Sequence, residues 1–327
     1  MTRAAAVLGA GTIGLSWAAL FAANDLDVRV QDPRHDLQER LDEAVTSLAP
    51  VLGDGLGERI TLVADLEAAV DGVDVVQENG PERLELKQEL WARVEAAAPA
   101  SALLLSSTSG LLPSDMAVRM REPGRLLVGH PFNPPHIVPL VEVVPGAQTS
   151  PERAQAAADF YRSLGKVPVV LRKEIGGFVA NRLQSALFRE SVHLVLEGVV
   201  TPEELDRVVT ESVGVRWATA GPFESYHLGG GPGGIRHLLE HLGPGMARRW
   251  KDLGQPELTD ELVDRVSADT EARFADRDYD RRTTDRDRLQ LAVLAAREQA
   301  RKQGWHLTRC ARRPRRPGTR GRGPAAR

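Results

Sequence analysis

A histidine and a glutamate in two apolar segments are the residues of this chain best suited to acid–base chemistry. His130 stands within residues 129–135 (Gly-His-Pro-Phe-Asn-Pro-Pro), just past a predicted buried strand, and Glu142 interrupts the apolar run 138–144. A charge in such a run is costly unless it has a partner. A carboxylate that holds one imidazole nitrogen would fix the tautomer and leave the other nitrogen to accept a proton. Spacing alone leaves a second interpretation open, a core histidine and an edge-strand glutamate that faces water.

A glycine motif near the start of the chain predicts a dinucleotide site. The stretch fits G-x-G-x-x-G between a predicted strand and a predicted helix, so its glycines would allow a tight turn, a close approach to a pyrophosphate and close helix packing. The helix N-terminus would add amide donors and a positive dipole end. The residues that we expect to contact the cofactor here are Gly9, Gly11, Thr12, Ile13 and Gly14.

An acidic residue after the second predicted strand indicates which dinucleotide is bound. Asp32 follows Gly14 by 18 residues. A carboxylate at this place accepts hydrogen bonds from the adenine ribose hydroxyl and repels a 2′-phosphate. We therefore predict NAD as the cofactor, with Arg34 weakening the discrimination against NADP slightly.

The elements that would position these residues alternate between strands and helices over residues 4–170, which is typical of a parallel α/β sheet. Beyond Gly176 the apolar spacing becomes helical, and Thr201 and Glu204 fit a capping box at a helix start. We predict a Rossmann-like, mainly parallel sheet followed by an all-helical domain. The predicted boundaries are 1–176 for the NAD-binding domain, 177–300 for the helical substrate and dimerisation domain, and 301–327 for a basic, disordered tail.

Charge is divided unequally along the chain. Residues 301–327 hold ten of the 42 Lys and Arg and none of the 45 Asp and Glu, so residues 1–300 carry a net charge of −13 and the tail carries +10. An acidic body is a poor surface for nucleic acid, which leaves the tail as the one candidate for binding polyanions.

Cysteine content and hydropathy predict the cellular address. Cys310 is the only cysteine, so an intrachain disulfide and a cysteine-built metal site are excluded. No run approaches the roughly 20 unbroken apolar residues of a membrane helix. We predict a cytoplasmic protein without membrane association.

Several separated motifs resemble those of the 3-hydroxyacyl-CoA dehydrogenase family, and within it the branch of lambda-crystallin (L-gulonate 3-dehydrogenase) and L-carnitine dehydrogenase. The resemblance covers about residues 4–300. Besides the glycine motif and the segments around His130 and Glu142, the matching stretches are 16–18 (Ser-Trp-Ala), 106–114, 177–183, 214–218 and 221–223.

The resemblance implies roles for four residues of the reaction. His130 matches the family's catalytic base, which takes the substrate hydroxyl proton as hydride leaves for the nicotinamide, and Glu142 matches the carboxylate that orients it. Ser109 and Asn181 match the polar groups that hold the reacting oxygen of the substrate. From the residues themselves, Ser109 could also be a capping serine and Asn181 an ordinary first-turn helix residue.

The resemblance also extends the cofactor site and implies an assembly. Glu82 and Lys87 match positions beside the nicotinamide half of NAD. Helical domains of the family pair, which implies a homodimer built from residues 177–300.

Two other functions compete with this one. A decarboxylating β-hydroxyacid dehydrogenase shares the nucleotide fold but relies on a lysine at the start of its helical domain, and this chain has no lysine between Lys173 and Lys251. A non-catalytic crystallin-like or dinucleotide-sensing protein need not keep the reaction residues. His237 and His241 fit an H-x-x-E-H zinc pattern, but nothing nearby supplies a third ligand, so we predict no metal site.

The substrate is the least constrained part of the prediction. A coenzyme A thioester needs basic groups for its phosphates, and the acidic body favours a small free 3-hydroxy acid instead, with Arg216 as a candidate partner for its carboxylate. Thioesters of coenzyme A or of an acyl carrier stay open. Carnitine ranks lower for two reasons. Carnitine dehydrogenases often have Asp where this chain has Asn181. The quaternary nitrogen of carnitine also favours a cage of aromatic side chains, and aromatic residues are only 5% of the chain.

Overall fold

Side chains of the first strand point alternately to two buried faces. In the computed structural model, which describes residues 3–274 and 278–305, β1 (Ala4–Leu8) sends Ala5 and Val7 into one apolar cluster and Ala6 and Leu8 into another. This alternation follows from the two-residue repeat of a strand. A strand buried on both faces needs helices on both sides of its sheet.

The strands of the described residues form one eight-stranded sheet. The others are β2 (Asp27–Gln31), β3 (Ile60–Leu62), β4 (Val75–Glu78), β5 (Leu103–Ser106), β6 (Leu126–Pro131), β7 (Leu140–Pro145) and β8 (Val167–Val170). Their order is β3-β2-β1-β4-β5-β6-β7-β8. All neighbours are parallel except β6 and β7, which are antiparallel. The strand order reverses beside β1, where open α/β sheets bind ligands at the carboxyl ends of their strands.

Helices cover both faces of this sheet. They are α1 (Thr12–Ala23), α2 (Leu37–Leu52), α3 (Leu66–Val70), α4 (Leu84–Ala97), α5 (Pro113–Met116) and α6 (Pro151–Ser163). Trp17 and Phe21 of α1 share one buried cluster with Tyr161 of α6, whereas Trp91 of α4 and Met116 of α5 belong to the other. The result is a three-layer arrangement that fixes the ends of the strands.

The chain folds into two compact units, the first ending at Arg189 and the second starting at Glu190. The helix α7 (Ala180–Leu196) contains this boundary. The second unit contains α8 (Pro202–Val208), α9 (Gly214–Thr219), α10 (Pro222–Gly229), α11 (Gly234–Asp252), α12 (Asp260–Phe274) and α13 (Tyr279–Lys302), with a π-helical segment, Val209–Val213, between α8 and α9. Thr201 and Glu204 form the predicted capping box of α8.

The structure confirms the predicted fold class, a mainly parallel Rossmann-like sheet followed by helices. It adds β3 and α3, which sequence periodicity did not indicate because they have only three and five residues. No helix among the described residues is long and apolar enough to cross a membrane. The predicted domain boundaries remain predictions, and residues 306–327 of the predicted tail, including Cys310, lie outside the described residues.

Candidate active site

The glycine loop after β1 is shaped by two contacts that exclude a side chain. Gly9 has φ +90°, and a Cβ there would lie 2.9 Å from the backbone of Asn79. A Cβ at Gly14 would lie 1.9 Å from the carbonyl oxygen of Gly9. A Cβ at Gly11, in contrast, would meet no described atom within 4 Å. The loop is therefore packed at its first and third glycines and open at its second.

The open side of the loop leads to the N-terminus of α1. Thr12 is exposed and Ile13 is half-buried, and within the described residues no side chain caps this helix end. Amide donors and a positive dipole end at an uncapped terminus suit a phosphate. These residues fit the pyrophosphate of a dinucleotide.

Asp32 braces the same loop from the end of β2. Its Oδ2 accepts a hydrogen bond from the Ala10 amide at 2.7 Å, and its Oδ1 accepts one from the Arg34 amide at 3.0 Å. A carboxylate has lone pairs beyond these two, so Asp32 can still accept from a ribose hydroxyl. The Arg34 guanidinium is paired with Asp36 at 2.6 Å.

A buried ion pair lies at the carboxyl end of β4. Lys87 Nζ is 2.5 Å from Glu78 Oε1 and also donates to the Gly80 carbonyl at 3.1 Å. Ser106 donates to the second oxygen of Glu78 at 2.5 Å. Both charged side chains are buried, so Lys87 is engaged inside the protein, and the predicted contact with NAD remains a prediction.

Glu82 holds the residues that follow β5. Its Oε1 accepts from Thr108 Oγ1 at 2.5 Å, from the Ser109 amide at 2.8 Å and from Ser109 Oγ at 3.2 Å. Burial alone would raise the pKa of Glu82, but these hydrogen bonds and the Lys87 charge outweigh it and hold the pKa below its ordinary value. The hydroxyl of Ser109 is thus oriented by a carboxylate.

His130 and Glu142 face each other across the antiparallel pair β6 and β7. They are register partners, and His130 Nδ1 lies 3.0 Å from Glu142 Oε2. Both side chains are buried. Because an ionised carboxylate only accepts, the hydrogen bond places the proton on Nδ1 and leaves Nε2 as the acceptor.

The second oxygen of Glu142 caps α7. Oε1 accepts from the amides of Val179 at 2.9 Å and Ala180 at 3.0 Å. Burial disfavours the charged carboxylate, but the hydrogen bonds from His130 and from these two amides prevail, so the pKa of Glu142 lies below its ordinary value. One carboxylate therefore orients the imidazole and the start of α7 together.

The start of α7 in turn meets the loop after β5. Asn181 Nδ2 donates to the Ser109 carbonyl at 3.0 Å. Ring centroids of Phe132 and Phe178 lie 4.7 and 5.3 Å from that of His130. The structure thus connects the four predicted reaction residues by hydrogen bonds in two pairs, His130 with Glu142 and Ser109 with Asn181.

Comparison with known protein families shows to which family this chain belongs. The model of the 3-hydroxyacyl-CoA dehydrogenase NAD-binding domain matches residues 4–175, and that of the C-terminal domain matches residues 177–276. The chain belongs to the 3-hydroxyacyl-CoA dehydrogenase family. It is an NAD-dependent dehydrogenase, and NAD is its cofactor, as predicted.

Curated relatives within the family are named L-carnitine dehydrogenase. The protein from Streptomyces griseus subsp. griseus is 44% identical over 300 residues, covering 90% of this chain and 90% of the relative. The protein from Pseudomonas putida is 43% identical over 297 residues, covering 89% of this chain and 92% of the relative. The predicted family resemblance is confirmed over most of the chain.

Solved structures share the fold of this dehydrogenase. A 5-formyl-3-hydroxy-2-methylpyridine-4-carboxylic acid 5-dehydrogenase, described as an NAD⁺-dependent dismutase, is 28% identical with a TM-score of 0.72, covering 91% of this chain and 99% of that one. A 3-hydroxyacyl-CoA dehydrogenase from Archaeoglobus fulgidus is 26% identical with a TM-score of 0.62, covering 81% and 87%.

Three residues singled out in the sequence lie in the second unit of the dehydrogenase. Arg216 is exposed on α9, and its predicted contact with the substrate carboxylate remains a prediction. The rings of His237 and His241 are 4.0 Å apart on α11. Within the described residues, no group of three or more metal-ligating side chains surrounds a common point.

Sequence reasoning missed two parts of the dehydrogenase site. Glu78 ends the short strand β4 directly after the polar Gln77, so it does not interrupt an apolar run as Glu142 does, and the sequence did not indicate its burial. The amides of Val179 and Ala180 have no side-chain signature, and only the three-dimensional arrangement shows that Glu142 needs them.

Proposed function

We propose that this protein oxidises the 3-hydroxyl group of a small free hydroxy acid with NAD, and that L-carnitine is its first candidate substrate. The observation that carries the reaction is the buried His130–Glu142 pair, whose Nδ1 to Oε2 distance is 3.0 Å. The relatives named L-carnitine dehydrogenase, 42–44% identical to this chain, support the substrate and outweigh the sequence arguments from Asn181 and from aromatic content that ranked carnitine lower.

His130 is proposed as the general base of the oxidation. NAD, when bound, supplies the acceptor for the hydride that leaves the hydroxyl-bearing carbon. The hydroxyl proton passes to His130 Nε2, because Nδ1 already carries the proton that faces Glu142. The imidazolium formed in this way is stabilised by the Glu142 carboxylate, and the carbon–oxygen bond becomes a carbonyl. In the reverse direction the same imidazolium returns the proton.

Ser109 and Asn181 are proposed to hold the reacting oxygen, and the residues around them limit their movement. Glu82 fixes Ser109 through its amide and hydroxyl, and Asn181 is tied to the Ser109 carbonyl. Asn181 Nδ2 has a second hydrogen that can donate to the reacting oxygen without reorganising. The Ser109 hydroxyl, whose one hydrogen donates to Glu82, would have to turn away from that carboxylate to donate to the same oxygen.

Residues that brace the glycine loop are proposed to set the cofactor preference. Asp32 would accept from the adenine ribose, and Gly11 would leave room for the pyrophosphate. The proposed cofactor set also keeps Glu82 and Lys87 near the nicotinamide, with Lys87 acting through the carboxylates that it contacts.

A free hydroxy acid suits the charge of this chain better than a coenzyme A thioester. Residues 1–300 carry a net charge of −13, which disfavours the phosphates of coenzyme A. L-carnitine is itself a free 3-hydroxy acid, so the relatives' names agree with this part of the prediction. A thioester remains the second candidate, because both matching family models are named for 3-hydroxyacyl-CoA dehydrogenase.

A substrate screen tests the proposal. Purified protein with NAD is offered L-carnitine, D-carnitine, 3-hydroxybutyrate and 3-hydroxybutyryl-CoA, and formation of NADH is followed by absorbance. We expect kcat/KM for L-carnitine to exceed the other values by about tenfold or more. Preference for the thioester would overturn the substrate assignment. Absence of turnover with all four compounds, in protein shown to bind NAD, would overturn the proposed dehydrogenation of 3-hydroxy acids.

We also propose a cytoplasmic homodimer that pairs through the helical region. Large apolar side chains of the second unit are exposed, among them Phe223, Trp250 and Leu258 at 81%, 66% and 83%. We propose that a second copy of the chain covers such side chains, because large exposed apolar patches mark partner surfaces. A single cysteine in 327 residues suits a reducing compartment. Sedimentation of the purified protein at two concentrations tests the dimer, and a monomer at both would contradict it.

A further inference from the structure

Lys166 is a buried cation that takes no part in the reaction proposed above. It stands directly before β8, with only 7% of its surface exposed. Its Nζ donates to the carbonyl oxygens of Pro135, at 2.5 Å, and of Val138. No carboxylate of the described residues forms an ion pair with it within 4.0 Å, and burial lowers the pKa of its ammonium to about 8. A buried charge without a counter-ion is costly, and the two hydrogen bonds to carbonyl oxygens offset part of this cost.

The two carbonyls belong to the segment 132–139, here called the dyad loop, which joins β6 to β7. It therefore connects His130, on the first of these strands, to Glu142, on the second. Prolines at 134, 135 and 139 supply no amide hydrogen. Buried carbonyls in such a loop must find donors elsewhere, because an unsatisfied buried carbonyl costs free energy.

Neighbouring contacts hold the dyad loop at further points. Ser16 Oγ of α1 accepts a hydrogen bond from the His136 amide at 3.1 Å and lies 2.9 Å from Nδ1 of the His136 ring. The Val167 amide donates to the Pro139 carbonyl at 2.8 Å. Lys166 Nζ also lies 5.8 Å from the ring centroid of Trp17, within the range of a cation–π contact. The loop is thus fixed between α1 and β8, with Lys166 supplying the two donors in the middle.

The dyad loop also contacts the imidazole. Phe132, its first residue, packs against the His130 ring at a centroid distance of 4.7 Å. A shift of the loop would move this ring and the strand ends that carry the dyad. Displacement of a catalytic group by about 1 Å can cost roughly 100-fold in rate.

We propose that Lys166 is a positioning residue: by tying the Pro135 and Val138 carbonyls it holds the dyad loop, and through Phe132 and the strand ends it holds His130 against Glu142. The inference deepens the proposed function and rests on it for the kinetic consequence. The tie itself does not depend on the substrate.

The test compares Lys166→Met with Lys173→Met. Methionine keeps about the length of the lysine side chain but removes its N–H donors. Lys173 is exposed and serves as the matched control. Amide hydrogen exchange of a peptide covering 132–139 is measured with NAD absent and present, together with the Kd of NAD and the kcat and KM of the substrate that the wild type turns over.

We expect exchange in the dyad loop of Lys166→Met to accelerate about tenfold, and kcat to fall by about tenfold to 100-fold, with the Kd of NAD unchanged. Lys173→Met should match the wild type in every measurement. A folded Lys166→Met with wild-type loop exchange and wild-type kcat would overturn the proposal. If the wild type turns over none of the substrates, the proposed function fails, while loop exchange still reports whether Lys166 holds the loop.

Lys166→Arg covers the case in which Lys166→Met does not fold. Arginine keeps the charge, but its longer, planar head cannot reproduce the two hydrogen bonds of the ammonium. Faster loop exchange with a lowered kcat supports the proposal. Faster loop exchange with a wild-type kcat overturns it, because the loop would then be loose without consequence for the dyad.

Discussion

Glu142 Oε1 accepts a hydrogen bond from the Ala180 amide at 3.0 Å, so the carboxylate that orients His130 also caps the helix that carries Asn181. The two oxygens of one side chain thereby connect the proposed base to a proposed oxygen-binding group. A change at Glu142 should disturb both. A carboxylate that only oriented the base would leave the start of α7 unaffected when it was replaced.

Replacing Glu142 by Gln should lower kcat by about 100-fold while the Kd of NAD stays unchanged. Gln is close in shape, but its amide nitrogen is a donor and would face either His130 Nδ1–H or the amides at the start of α7. Steady-state kinetics with a separate NAD titration checks this. A kcat within about twofold of the wild type would show that the carboxylate does not orient the base.

Acid should weaken the folded state through Glu142. The folded-state pKa lies below the ordinary 4.5, so the unfolded chain binds more protons between the two values and the free energy of unfolding rises with pH there. The contribution is complete above about 4.5 and is lost as pH falls through the folded-state pKa. Urea unfolding over a pH series should show the gap between wild type and Glu142→Gln closing in acid.

The control for this series is Glu257→Gln, since Glu257 is exposed. Its curve should run parallel to that of the wild type. A gap between wild type and Glu142→Gln that keeps its size at every pH would contradict the assignment of the acid sensitivity to Glu142.

The contact between His130 and Glu142 was predictable from the sequence, but the other contacts around this pair were only partly predictable. A charge in an apolar run pointed to Glu142, and the alternation of strands and helices over residues 4–170 pointed to a Rossmann-like sheet. The antiparallel direction of β7 was not predictable, because residue alternation gives no strand direction. That direction makes His130 and Glu142 register partners.

Lys87 shows what a motif leaves out. The resemblance places it beside the nicotinamide half of NAD, which stays a prediction, and the structure adds that it is buried against Glu78 at 2.5 Å. Two charges nine residues apart can pair only if the strand end and the following helix bring them together. Sequence spacing does not contain this information, and Glu78 follows the polar Gln77 rather than an apolar run.

Substituting His130 by Ala should remove nearly all turnover, lowering kcat by about 10²- to 10⁴-fold, while NAD still binds. The reason is that no other described side chain is held by Glu142 in its place. Kinetics and an NAD titration are the measurements. His241→Ala, an exposed histidine of α11, is the control and should keep wild-type values. Near-normal kcat in His130→Ala would refute the proposed base.

Asp32→Asn should reduce the preference for NAD over NADP by about tenfold in kcat/KM. The amide oxygen can still accept from the Ala10 amide, so the glycine loop keeps this contact, but the hydrogen bond from the Arg34 amide and the charge that repels a 2′-phosphate are both lost. Kinetics with both cofactors measures the ratio. Glu39→Gln, an exposed carboxylate on α2, should leave the ratio alone. An unchanged ratio in Asp32→Asn would overturn the assignment.

Replacement by alanine should affect the stability of the protein at only one of two glycines in the same loop. A Cβ at Gly14 would lie 1.9 Å from the Gly9 carbonyl oxygen, so Gly14→Ala should lower the free energy of unfolding by about 1–3 kcal/mol. A Cβ at Gly11 would meet no described atom within 4 Å, and its φ of −74° suits alanine. Gly11→Ala should therefore change stability by less than about 1 kcal/mol.

The two variants separate packing from cofactor binding. The space beside Gly11 is where a pyrophosphate would approach the backbone, so Gly11→Ala should weaken NAD binding by about tenfold or more in a protein of nearly normal stability. Urea unfolding and an NAD titration measure the two effects. Wild-type NAD affinity in Gly11→Ala would place the pyrophosphate elsewhere, because a methyl group in its path cannot be without effect.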